Sequence, residues 1–255
     1  MTTYDFHTLV EQDVQKISSF AYQDLLPEEI DIQANKSFLQ YLNDFVDFQP
    51  KGNRLNDTEA RLNDIRTLIV KDFPIGAVVT GSVSVAFLPN NYLYHLGLKA
   101  DVYKQCNAVT ELLPNKFYLL TVGSYVIDGA NYIAGSIVSP LSKMVVPKDT
   151  FVRLQKSIVP CRIVSNANKT ELESHYYGKT TADSPLGVIV GNQIQIDLNG
   201  FLINRVQLYY IRKPKTISFS LPNDEIDLSL NGQYKLAALT VQNIKAVTER
   251  RIQNQ

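Results

Sequence analysis

Apolar residues at helical spacing open the chain. Phe6, Leu9, Val10, Val14, Ile17 and Phe20 recur every three or four positions and predict a helix over residues 4–20. A second stripe, Ile30, Ala34, Phe38, Leu42 and Phe45, follows Pro27 and predicts another. Pro27-Glu28-Glu29 suits its first turn, because proline lacks an orphan donor and acids favour the positive helix end. Pro50 to Asn53 reads as a turn. A third helix is expected from about Asp57 to Leu68, with Leu55, Leu62, Ile65 and Leu68 inward and Arg61, Asn63, Asp64 and Arg66 mainly outward.

After Pro74 the period shortens. Residues 75–135 read as short strands: Val78, Val83, Val85 and Phe87, then Phe117 to Val122, then Tyr125 to Ile127, punctuated by glycines. Leu88 to Tyr94 reads as a loop leading to a short helix, and Pro147 to Leu154 as a short helix after a proline. A strand is expected at Pro160 to Ile163. Residues 165–185 are polar and read as a long loop or arm. Leu186 to Val190 and Gln193 to Leu198 are two more strands, and Asn199-Gly200 is a hairpin signal. Phe201 to Ile211 follows as a strand, which Lys213-Pro214 ends because proline gives no N–H to a ladder. Beyond Pro222 the helical period returns through Ile226, Leu230, Leu236, Leu239, Ile244 and Val247, with a break near Asn231-Gly232; the polar end from Thr248 reads as frayed.

Helices therefore sit at both ends and strands between them. The expected fold class is α+β: a helical bundle from residues 1–72 and 222–255, with an inserted, antiparallel β-rich domain over 73–221 carrying the 165–185 arm. Chain ends that lie together favour this arrangement.

Composition narrows the function. The 255 residues are 45% hydrophobic and 20% charged, an ordinary globular balance. Twenty-five basic and 25 acidic residues cancel, which argues against a dedicated nucleic-acid binder. No apolar run reaches membrane-spanning length and no signal peptide opens the chain. Two cysteines, Cys106 and Cys161, are too few for a disulfide scaffold and read as reduced thiols; whether they pair is open. Fourteen tyrosines without a tryptophan suit wet contact surfaces.

Candidate chemistry is sparse. His95 or His175 could act as a general base, yet no nucleophile is marked beside either, and the ordinary reading is a surface or half-buried histidine. Cys106 with His95 has no thiol-enzyme signature around it. Glu28-Glu29 with Asp31, and Glu171 with Glu173, fit a helix first turn or a solvated face better than a cation site. No glycine-rich phosphate loop occurs. No catalytic residue, cofactor or metal is expected. The one cationic cluster is Arg205, Arg212, Lys213 and Lys215; it reads either as a contact for phosphates or an acidic partner, or as a blunted strand edge.

Two segments carry a family likeness: Arg61-Leu-Asn-Asp-Ile-Arg-Thr-Leu-Ile-Val70, and the strand leading into Tyr209-Tyr-Ile-Arg-Lys-Pro-Lys-Thr-Ile217 with its terminal helix. Together they resemble head-to-tail connector (adaptor or ring) structural proteins of tailed bacteriophages, in particular of crAss-like phages. The likeness is sharp over about thirty residues, which mark structure rather than a reaction. Similar proteins often carry a cysteine and a histidine just after the Arg-Lys-Pro strand, and Leu221 to Tyr234 holds neither. The resemblance implies a non-enzymatic virion protein, assembled in the bacterial host. Its copies would stack as a ring, twelvefold in the family pattern, beneath the portal. Partners would be its own copies, the portal and neighbouring connector or tail proteins, with DNA passing through unread. Arg61, Arg66, Arg205, Arg212, Lys213, Lys215, Tyr176 and Tyr177 are the expected contacts between subunits or partners. Alternatives are a tail or tail-hub protein, a host- or carbohydrate-binding virion module, and a small hydrolase using His95 or His175.

Overall fold

The computed structural model describes residues 1–17, 25–46, 62–174 and 179–253. Its fold is mixed α and β, dominated by a ten-stranded, largely antiparallel sheet. This corrects the expected helical bundle with an inserted domain: the sheet is the larger structure. The chain divides into two compact units, residues 1–70 with 211–255 and residues 71–210.

In the first unit, α1 (Thr3–Ile17), α2 (Pro27–Val46) and α4 (Leu230–Gln253) pack together. Phe6, Val10 and Val14 are buried from α1, and Ile30, Ala34, Phe38 and Leu42 from α2. Leu236, Ala237, Val241 and Ile244 face them from α4. Each fully buried aliphatic or Phe side chain contributes about 1.5–3 kcal/mol. Thr2 caps α1, with its Oγ1 accepting from Asp5 N–H and its own N–H donating to Asp5 Oδ2. Helix α4 begins where the sequence suggested a break. Ser229 is its N-cap, its Oγ accepting from Gly232 N–H at 3.2 Å. The helix then continues through the polar end to Gln253.

The expected third helix lies partly outside the described residues. Residues 62–64 are helical and Arg66–Leu68 form a 3₁₀ turn. Asp64 points inward, against expectation, and is 2% exposed. It accepts from Ser229 Oγ at 3.0 Å, Asn231 Nδ2 at 2.9 Å, Lys235 Nζ at 2.6 Å and Tyr41 Oη at 3.1 Å. Its backbone carbonyl takes Ser229 N–H. A Cβ on Gly232 would sit 3.2 Å from that carbonyl oxygen, so glycine lets α4 start against Asp64. Burial alone would raise the Asp64 pKa, but the donors from Lys235, Asn231 and Ser229 outweigh it and hold the carboxyl below its ordinary value.

The second unit is built from strands. β1 (Ile69–Thr80) and β2 (Val83–Phe87) form a hairpin about Gly81, whose φ is 63°. β12 (Leu186–Val190) and β13 (Gln193–Asp197) form another about Gly191. β13 then pairs with β2 rather than with β14 (Phe201–Arg212), which lies between β1 and β3 (Tyr92–Val109). Asn199-Gly200 is therefore a turn but not a hairpin. The chain crosses the end of the β1–β2 turn, where Leu198 N–H donates to Ser82 O, and rejoins the sheet beyond β1. β11 (Arg162–Val164) and β12 pair in parallel, as a crossover through α3 (Asn166–Ser174) requires. Residues 165–185 thus hold a helix where a loop was expected. Cys161 N–H donates to Leu98 O at 2.8 Å, so the sheet curls back on itself. Ser84 Oγ reaches Ile203 O across the curl. Leu98, Ala100, Ala86, Ile194, Ile196, Ile203 and Leu208 are buried within it.

Two expected helices are strands. Leu88 to Tyr94 leads into the 18-residue β3, and Pro147 to Leu154 into β10 (Phe151–Pro160). β3 and β10 pair antiparallel along Lys99–Val109, with a bulge at which Cys106 and Asn107 oppose Arg153 alone. Beyond the bulge, β5 (Phe117–Leu120) and β8 (Ile137–Val138) continue the sheet. Two small ribbons accompany them: β4 (Glu111–Leu112) with β9 (Met144–Val145), and β6 (Ser124–Ile127) with β7 (Ala130–Ile133). Leu112, Tyr118, Leu120, Ile127, Val138, Val146 and Phe151 form one core there.

Asp64→Ala strands several donors and is expected to cost about 2–3 kcal/mol in urea unfolding. Because the Asp64 pKa is depressed in the fold, its contribution is present above about pH 4 and fades as pH falls through the folded value. Asp64→Asn should therefore flatten the acid limb of a stability-versus-pH curve; an unchanged limb would contradict the assignment.

Candidate functional site

His7 is 1% exposed, and its Nε2 lies 2.9 Å from Asp31 Oδ1, a packing role. His95 is exposed on β3, and its pKa is lowered by partial desolvation. His175 lies outside the described residues, as do Arg61, Tyr176 and Tyr177. Cys106 is exposed at the bulge; Cys161 is buried, and burial pushes its thiol up to about 12, so it stays protonated. Among the described residues, no group of three or more histidine, cysteine, aspartate or glutamate side chains could hold a metal ion.

The cationic cluster comes apart. Arg205 belongs to the second unit, where it is exposed on β14. Arg212 belongs to the first and forks onto Asp227, with Nη2 at 2.8 Å from Oδ1 and Nη1 at 3.1 Å from Oδ2. The same carboxylate accepts Lys215 N–H at 3.0 Å, and Asp227 O accepts from Thr67 Oγ1 at 2.7 Å. Burial alone would raise the Asp227 pKa; the Arg212 guanidinium and Lys215 N–H outweigh it and hold the carboxyl below its usual value. Lys213 and Arg66 are exposed.

Arg-Lys-Pro is therefore the start of an anchored strap. Past Pro214, Ile217 exchanges two backbone bonds with the Asn35 side chain, at 3.0 and 2.8 Å. Phe219 N–H meets both Asp31 oxygens. Asp31 and Asn35 stand one turn apart on α2; the sequence reading placed Asp31 in a helix first turn or solvated face and did not mark Asn35. Their spacing at i and i+4 on a helix was the available signal.

The β unit carries the unusual surfaces. Ile133 and Val145 in its small ribbons, and Val122 and Leu141 in the loops of the same unit, are 68–77% exposed. Val126 and Ile133 share the face of the β6–β7 hairpin turned away from its core, since Tyr125 and Tyr132 occupy the other. Asp128 braces the tip, accepting from Leu141 N–H and Ser142 Oγ at 2.8 Å each. On the curled sheet, Val78 is 63% and Phe87 56% exposed. Such residues offer no chemistry; they offer contact area.

No protein-family model matches the chain, and no curated protein matches it. No helix among the described residues is long and apolar enough to cross a membrane.

Arg212→Ala, which leaves Asp227 without its ionic partner, should lower stability by about 2–3 kcal/mol, whereas Lys213→Ala should stay within about 0.5 kcal/mol. Equal losses in denaturant titrations would refute the anchor role. In thiol labelling of the native protein, Cys106 should react and Cys161 only after unfolding; native labelling of Cys161 would contradict its burial.

Proposed function

We propose that this chain is a non-enzymatic virion structural protein that assembles as a ring of the phage head–tail connector, beneath the portal. Helical segments from both ends of the chain form one lobe in this reading and the strands between them form another. One observation carries it. The β unit leaves large apolar side chains bare at Val122, Ile133, Leu141 and Val145 and again at Val78 and Phe87. Burial against neighbouring copies, the portal or tail proteins accounts for them. The family likeness supplies the identity of those neighbours.

The anchored strap supports the same reading. A ring subunit under internal pressure from packaged DNA needs segments that do not peel away, and Arg212, Asp227, Asn35 and Asp31 hold residues 212–219 through paired bonds. Zero formal charge suits a channel wall past which DNA slides without sticking.

Cryo-electron microscopy of tailed phage particles carrying this chain tests the proposal. The expected density is a closed ring of its copies between portal and tail, with the β6–β7 hairpin against a neighbour. Density at the distal tail alone, or none in the particle, would overturn it.

A further inference from the structure

Two asparagines in the chain precede a glycine, Asn199 and Asn231, and every other asparagine is followed by a residue with a side chain. An Asn-Gly pair can react with itself. The glycine nitrogen attacks the asparagine side-chain carbon, the new N–C bond closes an imide ring, and the side-chain nitrogen leaves as ammonia. Water then opens the ring at either carbonyl, to aspartate or to isoaspartate, whose backbone runs through the former side chain. No electrons change hands, and water is the only co-reactant. Glycine favours the step because no Cβ crowds the attacking nitrogen.

The fold holds the two pairs differently. Asn231 lies in the first turn of α4, where the Cα–Cβ bond tilts toward the helix N-terminus and away from the next nitrogen. Its Nδ2 donates to Asp64 Oδ1 at 2.9 Å, and Gly232 N–H donates to Ser229 Oγ at 3.2 Å, so both reacting groups are engaged. Gly232 is also buried. Asn199 and Gly200 are exposed in the turn between β13 and β14. Gly200 has a φ of 70° and open space where a Cβ would stand. Among the described residues no hydrogen bond takes Gly200 N–H, and Asn199 Nδ2 reaches only Thr180 O, at 3.5 Å. Asp128-Gly129 closes the same ring only from a neutral acid, and Leu141 N–H and Ser142 Oγ hold the Asp128 carboxyl ionised.

We propose that Asn199-Gly200 is a site of spontaneous deamidation in the folded protein, and that the fold protects Asn231-Gly232 from the same reaction. The product puts a carboxylate where Asn199 had a donor, facing Thr180 O and two residues from Asp197. Thr180 fixes the segment that leads into β12: its Oγ1 donates to Asp197 O at 2.9 Å and accepts from Leu186 N–H at 3.1 Å. The new charge therefore loosens that segment, and the isoaspartate form also adds a methylene to the backbone at the crossing into β14. The inference goes beyond the ring reading and does not rest on it.

Peptide mass mapping of the full-length protein, aged at mildly alkaline pH both folded and in urea, tests the assignment. In the fold the peptide with Asn199 should gain one dalton and split into aspartate and isoaspartate forms, about tenfold or more faster than the peptide with Asn231 converts. In urea the two should convert at similar rates. Ser229→Gly, which frees Gly232 N–H at small cost to the helix cap, should speed conversion of Asn231 in the fold. Asn199→Asp, the deamidated chain made directly, should speed hydrogen exchange of the amides from Thr181 to Leu186. Asn199 left intact in the fold while it converts in urea, equal rates at the two sites in the fold, or an Asn231 indifferent to Ser229→Gly would each overturn the assignment. Unaltered exchange in Asn199→Asp would overturn its consequence. None of these outcomes bears on a ring seen in the particle, so the two readings fail separately.

Discussion

The helical unit depends on satisfying the backbone of a segment that has no ladder of its own. Residues 213–229 run without strand or helix, yet they lie against α1 and α2. A backbone N–H or C=O removed from water needs a partner. Asp31 and Asn35 supply partners at Phe219 and Ile217, Asp227 at Lys215, and Thr3 and Tyr4 donate to Asp224 and Pro222. The strap is held at fixed points, so it delivers Ser229 to Asp64, and α4 starts there with its cap already bonded. Arg212 joins the same network at its first residue. Carboxylates, rather than apolar packing alone, thus set where the C-terminal helix begins.

The helices were legible because burial follows their period. Ile30, Ala34, Phe38 and Leu42 form the stripe read from sequence and the stripe that is buried. Asp64 was misread because its partners Ser229, Asn231 and Lys235 lie more than 160 residues away and leave no local trace. β3 and β10 escaped for a related reason. Their outward alternation is interrupted by Asp101, which is buried against Lys156 on the neighbouring strand, a pair that exists only once the strands meet. The carboxylate raises the Lys156 pKa, as a close opposite charge must. Asn199-Gly200 shows the same limit: the turn chemistry was local and correctly placed, but the strand's partner was decided by the curl of the sheet.

The surfaces were less legible than the elements. Sequence proximity joined Arg205 to Arg212, Lys213 and Lys215, whereas Arg212 spends its charge on Asp227 and lies in the other unit. The Arg-Lys-Pro segment is thus mostly a folding device. Conversely, Val78, Val85 and Phe87 read as strand residues with no face assigned to them. A strand's alternation says that its faces differ, but register decides which one turns inward.

That last point bears on what the β unit is built to do. A sheet with one solvated face ordinarily alternates apolar with polar residues, and apolar residues on both faces belong to sheets covered twice. β1, β2 and β12 carry apolar residues on both. The curl covers one face with Ile194, Ile196, Ala86 and Ile203. The other face leaves Val78, Phe87 and Val190 exposed, while Leu186 and Val188 on its β12 end are buried. A β-branched or aromatic side chain left in water gains little beyond strand propensity, about a kcal/mol at most. The same side chains covered by a second surface gain the transfer energy as well. A strand pattern suited to two covers thus has one of them supplied by the curl of its own sheet.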